Sequence, residues 1–211
     1  MRASSQSVFL TYFEESNCRT MLQDIEKVLL DTSVIQKRVE SLAAEIVRDI
    51  ESALDEGESL MIVPVLTGSL IFVSDLVRLL PQRVRIDVVT VTSYPGQATE
   101  SQGAEIIGSV PEDLTGAHVL IVDDIFDTGR TVDLLRSRFR ELHPASLKVC
   151  VLLRKPDRSV VSEQPDYIGF DIPDEFVVGY GLDFDGYYRN LPCIGTLRPH
   201  AIEAAQAEES T

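Results

Sequence analysis

Basic residues are scarce in this sequence: 19 Lys and Arg stand against 34 Asp and Glu, a net charge of −15 over 211 residues. A nucleic-acid-binding protein carries a basic stripe, and none is visible, so no nucleic-acid partner is expected. Any anionic ligand must be met by local donors or by a metal ion. Cysteine is also sparse, with only Cys18, Cys150 and Cys193. The count is odd and no two are close in sequence, which argues against a disulfide framework, a zinc site or a redox pair. Ordinary thiols in a reducing compartment are the expectation. Long apolar runs are missing too, so no membrane partner is expected. The first twenty residues hold a single Arg ahead of the short run "VFL", and polar residues follow it, a poor secretory signal. Together these absences point to a cytoplasmic protein. Hydrophobic residues make up 44% of the chain, enough for one sizeable core.

Residues 1–20 read as a loose extension. Ser33 and Gln36 have the spacing of a capping box, and Ile35, Val39, Leu42, Ala43, Ile46 and Ile50 recur at helical spacing. That helix is expected to end near Gly57. "SLMIVPVL" (59–66) predicts a buried strand turning at Thr67-Gly68-Ser69, and 70–80 a helix stopped by Pro81. Alternation over 84–94 predicts one strand, and "AEIIGSV" a short returning strand. Between them, 95–103 has two glycines and no large apolar residue, the composition of a mobile loop. "HVLIVDD" is apolar almost throughout, as a strand buried on both faces should be. A helix over 131–142, a strand over 147–155 and short strands at "DYIGF" and "FVVGYGL" follow. The tail from Arg198 reads as frayed. Alternating strands and helices predict an α/β domain with a mainly parallel sheet, binding ligands beyond the carboxyl ends of its strands.

The stretch "HVLIVDDIFDTGRT" (118–131) concentrates the chemistry. Thr128-Gly129-Arg130-Thr131 lies between a strand and a helix, where unpaired N–H groups and the helix dipole favour a phosphate. The loop lacks the GxxxxGK[ST] pattern of a nucleoside-triphosphate site. Asp123 and Asp124 follow four apolar residues, where an unpaired carboxylate is costly. The vicinal hydroxyls of a ribose would supply donors to them, and Mg²⁺ would supply charge. Asp127 is placed to act as a proton acceptor. A phosphate, a sugar diol and a proton acceptor within nine residues describe a phosphorylated ribose with chemistry at its anomeric carbon.

"VLIVDDIFDTGRT" closely resembles the 5-phosphoribosyl-1-diphosphate motif of type I phosphoribosyltransferases. "GFDIPDEFVVGYGLDFDGYYRNLPCIGTL" (169–197) resembles the C-terminal segment of the hypoxanthine-guanine members, and "VLTGS", "SY" and "LLRKP" occur in the matching order. The resemblance covers roughly 21–197 as a single domain and leaves 198–211 as a flexible tail. It implies the type I phosphoribosyltransferase fold: a mainly parallel sheet flanked by helices, with a small hood built from the C-terminal segment.

It also implies roles. Asp123 and Asp124 match the pair that holds the ribose hydroxyls, partly through Mg²⁺. Asp127 matches the residue that faces purine N7 and moves a proton, and Thr128, Gly129, Arg130 and Thr131 match the 5′-phosphate cradle. Arg130 stands where many members have Lys. Leu66, Thr67 and Gly68 match the diphosphate loop. Thr67 replaces a common Lys, and the peptide before it is expected to be cis. Ser93 and Tyr94 open a loop that closes over the reacting centre in the family. Lys155 matches the donor to a 6-oxo group, which an ammonium distinguishes from the 6-amino group of adenine. Phe176 matches the aromatic that stacks on the base, and Val177 supplies backbone contacts to its edge. Asp183, grouped with the purine side, matches a carboxylate that helps place a second Mg²⁺ on diphosphate, and Arg189 matches a diphosphate contact. The implied activity is Mg²⁺-dependent phosphoribosyl transfer to hypoxanthine or guanine in purine salvage, by a homo-oligomer, dimer or tetramer. Two alternatives stay open: an enzyme that accepts xanthine, and a non-catalytic sensor of phosphoribosyl diphosphate on the same fold.

Overall fold

Both faces of the central sheet are covered, which is why its inner strands are apolar at every position rather than at alternate ones. In the computed structural model, residues 21–51, 53–54, 59–92, 105–107, 111 and 113–208 are described. The expected extension 1–20 and the loop 93–104, with Ser93 and Tyr94, lie outside them. Nine strands and four α-helices are described: β1 Ile25–Leu30, α1 Thr32–Glu51, β2 Leu60–Leu66, α2 Leu70–Val77, β3 Val84–Ile86, β4 Val89–Thr92, β5 Glu105–Ile107, β6 His118–Phe126, α3 Arg130–Arg140, β7 Ser146–Arg154, β8 Tyr167–Asp171, β9 Ile194–Leu197 and α4 Pro199–Glu208.

The main sheet runs β5-β4-β2-β6-β7-β8, with β3 beside β2. All of its pairings are parallel except β4 with β5. On one face, Leu120 and Val122 of β6 meet α1 and α2 through Ile35, Leu42, Ile46, Phe72 and Leu76. On the other, Val119 and Ile121 meet α3 through Val132, Leu135 and Phe139. Alternate residues of one strand therefore feed two cores.

Helix α1 buries the six apolar residues that its sequence spacing predicts. Its cap differs from expectation. Asp31, not Ser33, closes the end: its carboxylate accepts from the N–H groups of Ser33 at 2.8 Å and Val34 at 3.0 Å. The Ser33 hydroxyl and these N–H groups hold the Asp31 carboxyl below the usual carboxylate range. The helix is described over Thr32–Glu51; past it Leu54 still donates to the Ile50 carbonyl four residues back, and Ala53 shares that carbonyl, while the end expected near Gly57 lies outside the described residues. Arg38 ties α1 to the sheet edge, donating to the carbonyls of Ile168 and Gly169 on β8.

The single strand expected over 84–94 is broken into β3 and β4, both parallel to β2. Asp87 still donates to the Ile62 carbonyl at 3.0 Å. Two residues further along β2 comes Pro64, which faces the same neighbour and has no N–H to give, so the ladder lapses there.

A second unit, the hood, joins both ends of the described chain. β1 pairs antiparallel with β9, and Ile25, Val178, Leu191, Leu197 and Ala201 form its core. "FVVGYGL" is not a strand. Gly179, Tyr180 and Gly181 all have positive φ (101°, 52° and 108°), which breaks an extended run. Only isolated bridges, Val178 with Gly195 and Gly179 with Leu182, remain. The frayed tail expected from Arg198 is also corrected. Arg198 donates to the Asp24 and Ile25 carbonyls, and α4 follows with Ala201 buried. Among the described residues, no helix is long and apolar enough to cross a membrane.

Phe139 is fully buried between α3 and the sheet. Phe139→Ala is expected to destabilise the fold by about 3–5 kcal/mol, read from a shifted midpoint in chemical denaturation. A loss under about 1 kcal/mol would mean that α3 is not anchored as described.

Candidate functional site

The sheet order places a switch point between β2 and β6: the chain leaves β2 toward β3 and β4 on one side, and returns to β6 on the other. A crevice opens beyond the carboxyl ends of the strands at such a point. The turns 66–69 after β2, 127–129 after β6 and 155–158 after β7 converge there.

Strand β6 carries Asp123 and Asp124 within its extended run, so their side chains leave on opposite sides. Asp123 is only 5% exposed, and its carboxylate accepts the Asp124 N–H at 3.0 Å. Burial, then the charge of Asp124, pushes the Asp123 carboxyl well above its ordinary value. Burial also raises Asp124, whose carboxylate accepts the Ile125 N–H at 2.9 Å; the Arg189 guanidinium pulls the other way.

The Leu66–Thr67 peptide is cis. Its loop lies against the acidic strand so closely that a Cβ built on Gly68 would overlap the Asp124 carboxylate. From the other side, Gly181 (φ 108°) backs onto the Gly68 carbonyl, again with no room for a Cβ. The stack Asp124–Gly68–Gly181 thus joins strand end, loop and hood, the Asp124 carboxylate against Gly68 and the Gly68 carbonyl against Gly181. Arg189 completes it. Its guanidinium donates to the Gly181 carbonyl at 2.6 Å and pairs with Asp183 at 2.8 Å. The other Asp183 oxygen accepts the Gly186 N–H at 2.8 Å. Asp183 is therefore engaged with Arg189 and is not clustered with Asp123 and Asp124. Among the described residues no group of three His, Cys, Asp or Glu could hold a metal by itself.

Helix α3 opens at Gly129, which has no side chain to cap it, and the Arg130 N–H reaches the Thr128 hydroxyl only at 3.5 Å. The N–H groups that follow Thr128 and Gly129 point out of the helix start with the positive end of its dipole. Arg130 is exposed and Thr131 half-buried. This arrangement suits an anion.

The remaining residues come from β7, β8 and the hood. Lys155 is only 9% exposed, so it is not a solvated strand-end lysine. Its N–H donates to the Phe126 carbonyl at 2.9 Å, and its ammonium pairs with Asp174 at 3.2 Å. Asp127 pairs with Arg158 at 3.0 Å, and Arg158 reaches Asp174 at 3.4 Å. Phe176 is 58% exposed and steadied by an edge-on contact with Phe184 at 5.6 Å. An aromatic kept in the open two residues after Asp174, the partner of a buried ammonium, offers a flat face to a ring. Val177 is buried next to it.

The structure thus gathers the predicted residues into two linked groups. Gly68, Asp124, Arg189 and Asp183 are linked in one, through Gly181; Asp127 and Lys155 are linked in the other, through Arg158 and Asp174, with Asp174 two residues before Phe176. Arg158, Asp174 and Gly181 escaped the reading of the sequence. The density of charge in "RKPDRS" and "IPDEF" was the available signal, but nothing in it says that charges 16 to 31 residues apart are partners.

A family model, phosphoribosyl transferase domain, matches residues 27–185. The chain is 43% identical over 182 residues to a hypoxanthine-guanine phosphoribosyltransferase of Mycobacterium avium, covering 85% of this chain and 89% of that one. It is 37% identical over 184 residues to the protein of the same name from Bacillus subtilis, covering 87% and 99%. A solved structure of hypoxanthine phosphoribosyl transferase from Trypanosoma cruzi is similar with a TM-score of 0.80 at 36% identity, covering 87% of this chain and 96% of that one.

The raised Asp123 carboxyl has a consequence for stability. The folded protein retains a proton there that the unfolded chain has lost, so stability falls as pH rises from the unfolded value of about 4 toward the folded one. With a chelator present, Asp123→Asn is expected to melt at a higher temperature than the parent at neutral pH. The gap should close as pH falls below ~4, where the parent carboxyl is protonated in both states. A lower melting temperature at neutral pH would refute the burial argument.

Proposed function

From the premise that this chain belongs to the phosphoribosyl transferase family, with hypoxanthine-guanine phosphoribosyltransferases among its relatives, we propose that it makes purine nucleoside monophosphates from free 6-oxopurines. N9 of hypoxanthine or guanine displaces diphosphate from phosphoribosyl diphosphate. The C1′–O bond to diphosphate breaks, the N9–C1′ bond forms, and the purine loses one proton. The observation that carries this reading is the position of Lys155: a buried ammonium whose own backbone is bonded to the loop that bears Asp127. Base recognition and sugar chemistry are thereby held within one ligand's length.

The roles follow from the geometry. Asp123 and Asp124 face the ribose hydroxyls. The start of α3, with Thr128, Gly129, Arg130 and Thr131, takes the 5′-phosphate. Thr67 and Gly68 offer backbone to diphosphate, and Arg189 adds charge on that side. Ser93 and Tyr94 join the diphosphate contacts on the family resemblance alone. Lys155 donates to the 6-oxo group, Phe176 stacks on the ring, and the backbone at Val177 meets its edge. Asp127 takes up the imidazole-side proton.

A divalent cation fits the acidic pair. Two adjacent carboxylates, buried and repelling, have no cation but Arg189 acting on them among the described residues. Mg²⁺ is commonly held by one or two carboxylates together with substrate oxygens, which suits a site without a three-ligand cage. Bound there, Mg²⁺ would draw charge from the leaving diphosphate. Asp183 is the candidate for a second ion, on releasing Arg189. The proposal also includes a cytoplasmic location and a homo-oligomeric state.

The test is diphosphate release by purified protein with Mg²⁺, phosphoribosyl diphosphate and, in turn, hypoxanthine, guanine, xanthine, adenine and uracil. Release with hypoxanthine or guanine, and none with adenine or uracil, is expected. Silence with every oxopurine would sink the proposal, and release with xanthine would widen it. Asp127→Asn is expected to bind phosphoribosyl diphosphate as before and to lose roughly 10²–10⁴ in kcat. Parent-like turnover would remove Asp127 from proton transfer.

A further inference from the structure

Four charged side chains outside the sugar site form one alternating series. Asp127 pairs with Arg158 at 3.0 Å, Arg158 with Asp174 at 3.4 Å, and Asp174 with Lys155 at 3.2 Å. The two ends belong to the proposed base site. The two middle members, Arg158 and Asp174, have no part in it so far. We propose that Arg158 and Asp174 are positioning residues for the purine: they fix the spacing between the carboxylate that meets its imidazole edge and the ammonium that meets its oxo group. This inference rests on the oxopurine reading above.

Three features favour positioning over an incidental surface network. First, the bonds are directional and leave the ends usable. Arg158 donates from Nε to one oxygen of Asp127, and no bond to the second oxygen is present among the described residues. Lys155 uses one of its three ammonium donors on Asp174 and keeps two. Each end is thus aimed while keeping capacity for a ligand.

Second, the middle members come from two different loops. Arg158 lies after β7 and Asp174 after β8, whereas Asp127 follows β6. The Arg158 loop is itself fixed to the Asp127 loop. Lys155 donates to the Phe126 carbonyl at 2.9 Å, Val160 donates to the Thr128 carbonyl at 3.0 Å, and Val161 lies beside Gly129. Asp174 is two residues before Phe176, the proposed stacking ring. The series therefore spans the three loops that must agree on where the base sits.

Third, the chemistry of the ends requires a fixed distance. N7 and O6 of a 6-oxopurine are neighbouring acceptor or donor positions on one edge. A carboxylate and an ammonium left alone would pair with each other and cover that edge. With Arg158 and Asp174 inserted, each end already has an opposite charge, so direct collapse of Asp127 onto Lys155 gains little. The middle pair is half-exposed, and such pairs are weak in open water. They gain strength where a bound base excludes water from them.

The test compares the parent with Arg158→Gln, Arg158→Lys, Asp174→Asn and the Arg158→Gln/Asp174→Asn double variant. Asp174→Asn is isosteric and Arg158→Gln keeps an unbranched polar chain without the charge, and circular dichroism and melting temperature check the fold of all four. The expected result for Arg158→Gln and for Asp174→Asn is a fall of about tenfold in kcat/KM for hypoxanthine, with the KM for phosphoribosyl diphosphate unchanged. The double variant should lose about as much as either single one, because they break the same series. Arg158→Lys should recover part of the loss. Parent-like kcat/KM for hypoxanthine, strictly additive losses, or equal rises in both KM values would each overturn the positioning role. A parent protein that turns over no oxopurine refutes the proposed activity and this inference with it. An active parent with unaffected variants refutes this inference alone.

Discussion

The structure depends on two adjacent carboxylates held at the end of a strand that is buried on both faces. Asp123 sits where desolvation and a like charge both oppose its ionisation. Such a pair survives only because the surrounding fold is strong. Leu120 and Val122 on one side of β6, and Val119 and Ile121 on the other, each enter a closed core. The acids ride on the best-anchored strand of the sheet. Their environment is also permissive in one specific way. Gly68 has no side chain to block Asp124, and Gly181 has none to push Gly68 onto it. Side chains at these places would force the two carboxylates out of the crevice. The site is thus built by omission, with backbone approaching backbone and the charges left facing a ligand.

A division of labour follows. In the proposed function, the sheet and the start of α3 take the part of the ligand that all phosphoribosyl donors share, and the hood and the loops after β7 and β8 take the base. These two halves need different mechanical properties. The first is fixed by strand pairing and core packing. The second hangs on a smaller core, and the hood closes on itself through β1 with β9 and through Arg198 bonded to Asp24 and Ile25. Tyr180 links the halves, donating its hydroxyl to Asp75 on α2 at 2.6 Å. A buried hydroxyl in a positive-φ turn is a costly anchor, and it stands between Gly179 and Gly181, which carry the approach to the diphosphate loop.

How much of this was legible in the sequence varied with the range of the interaction. Strand β6 was readable because burial on both faces leaves a continuous apolar run, and α1 because its six buried residues keep one period. The phosphate-type turn and the acids were readable because they lie within nine residues. Failures came where a distant partner decides the conformation. β1 looks unremarkable until β9 pairs with it, and α4 looks frayed until Arg198 is tied to Asp24. The break between β3 and β4 traces to Pro64 on a neighbouring strand. At the base side, a lone exposed Phe176 and a strand-end Lys155 have ordinary explanations, and only the resemblance to a family singled them out. Arg158 and Asp174 stayed hidden because local sequence does not encode which distant charges will pair.

The acidic composition and the anionic ligand are compatible for the same reason. A protein of charge −15 repels a diphosphate-bearing sugar at long range, but that repulsion is screened beyond about 8 Å at physiological ionic strength. At contact, the relevant charges are local, and most cations of the site already have partners: Lys155 has Asp174, Arg158 has Asp127, and Arg189 has Asp183. Side-chain charge therefore nearly cancels within the site. The attraction for phosphate has to come from oriented N–H groups at the start of α3 and around Gly68, and from whatever cation the ligand brings to Asp123 and Asp124. In this chain that logic reaches Thr67, where many family members carry a lysine. A neutral residue there removes one more fixed cation from the diphosphate side. Binding then leans further on backbone geometry, the property that Gly68 and Gly181 together secure.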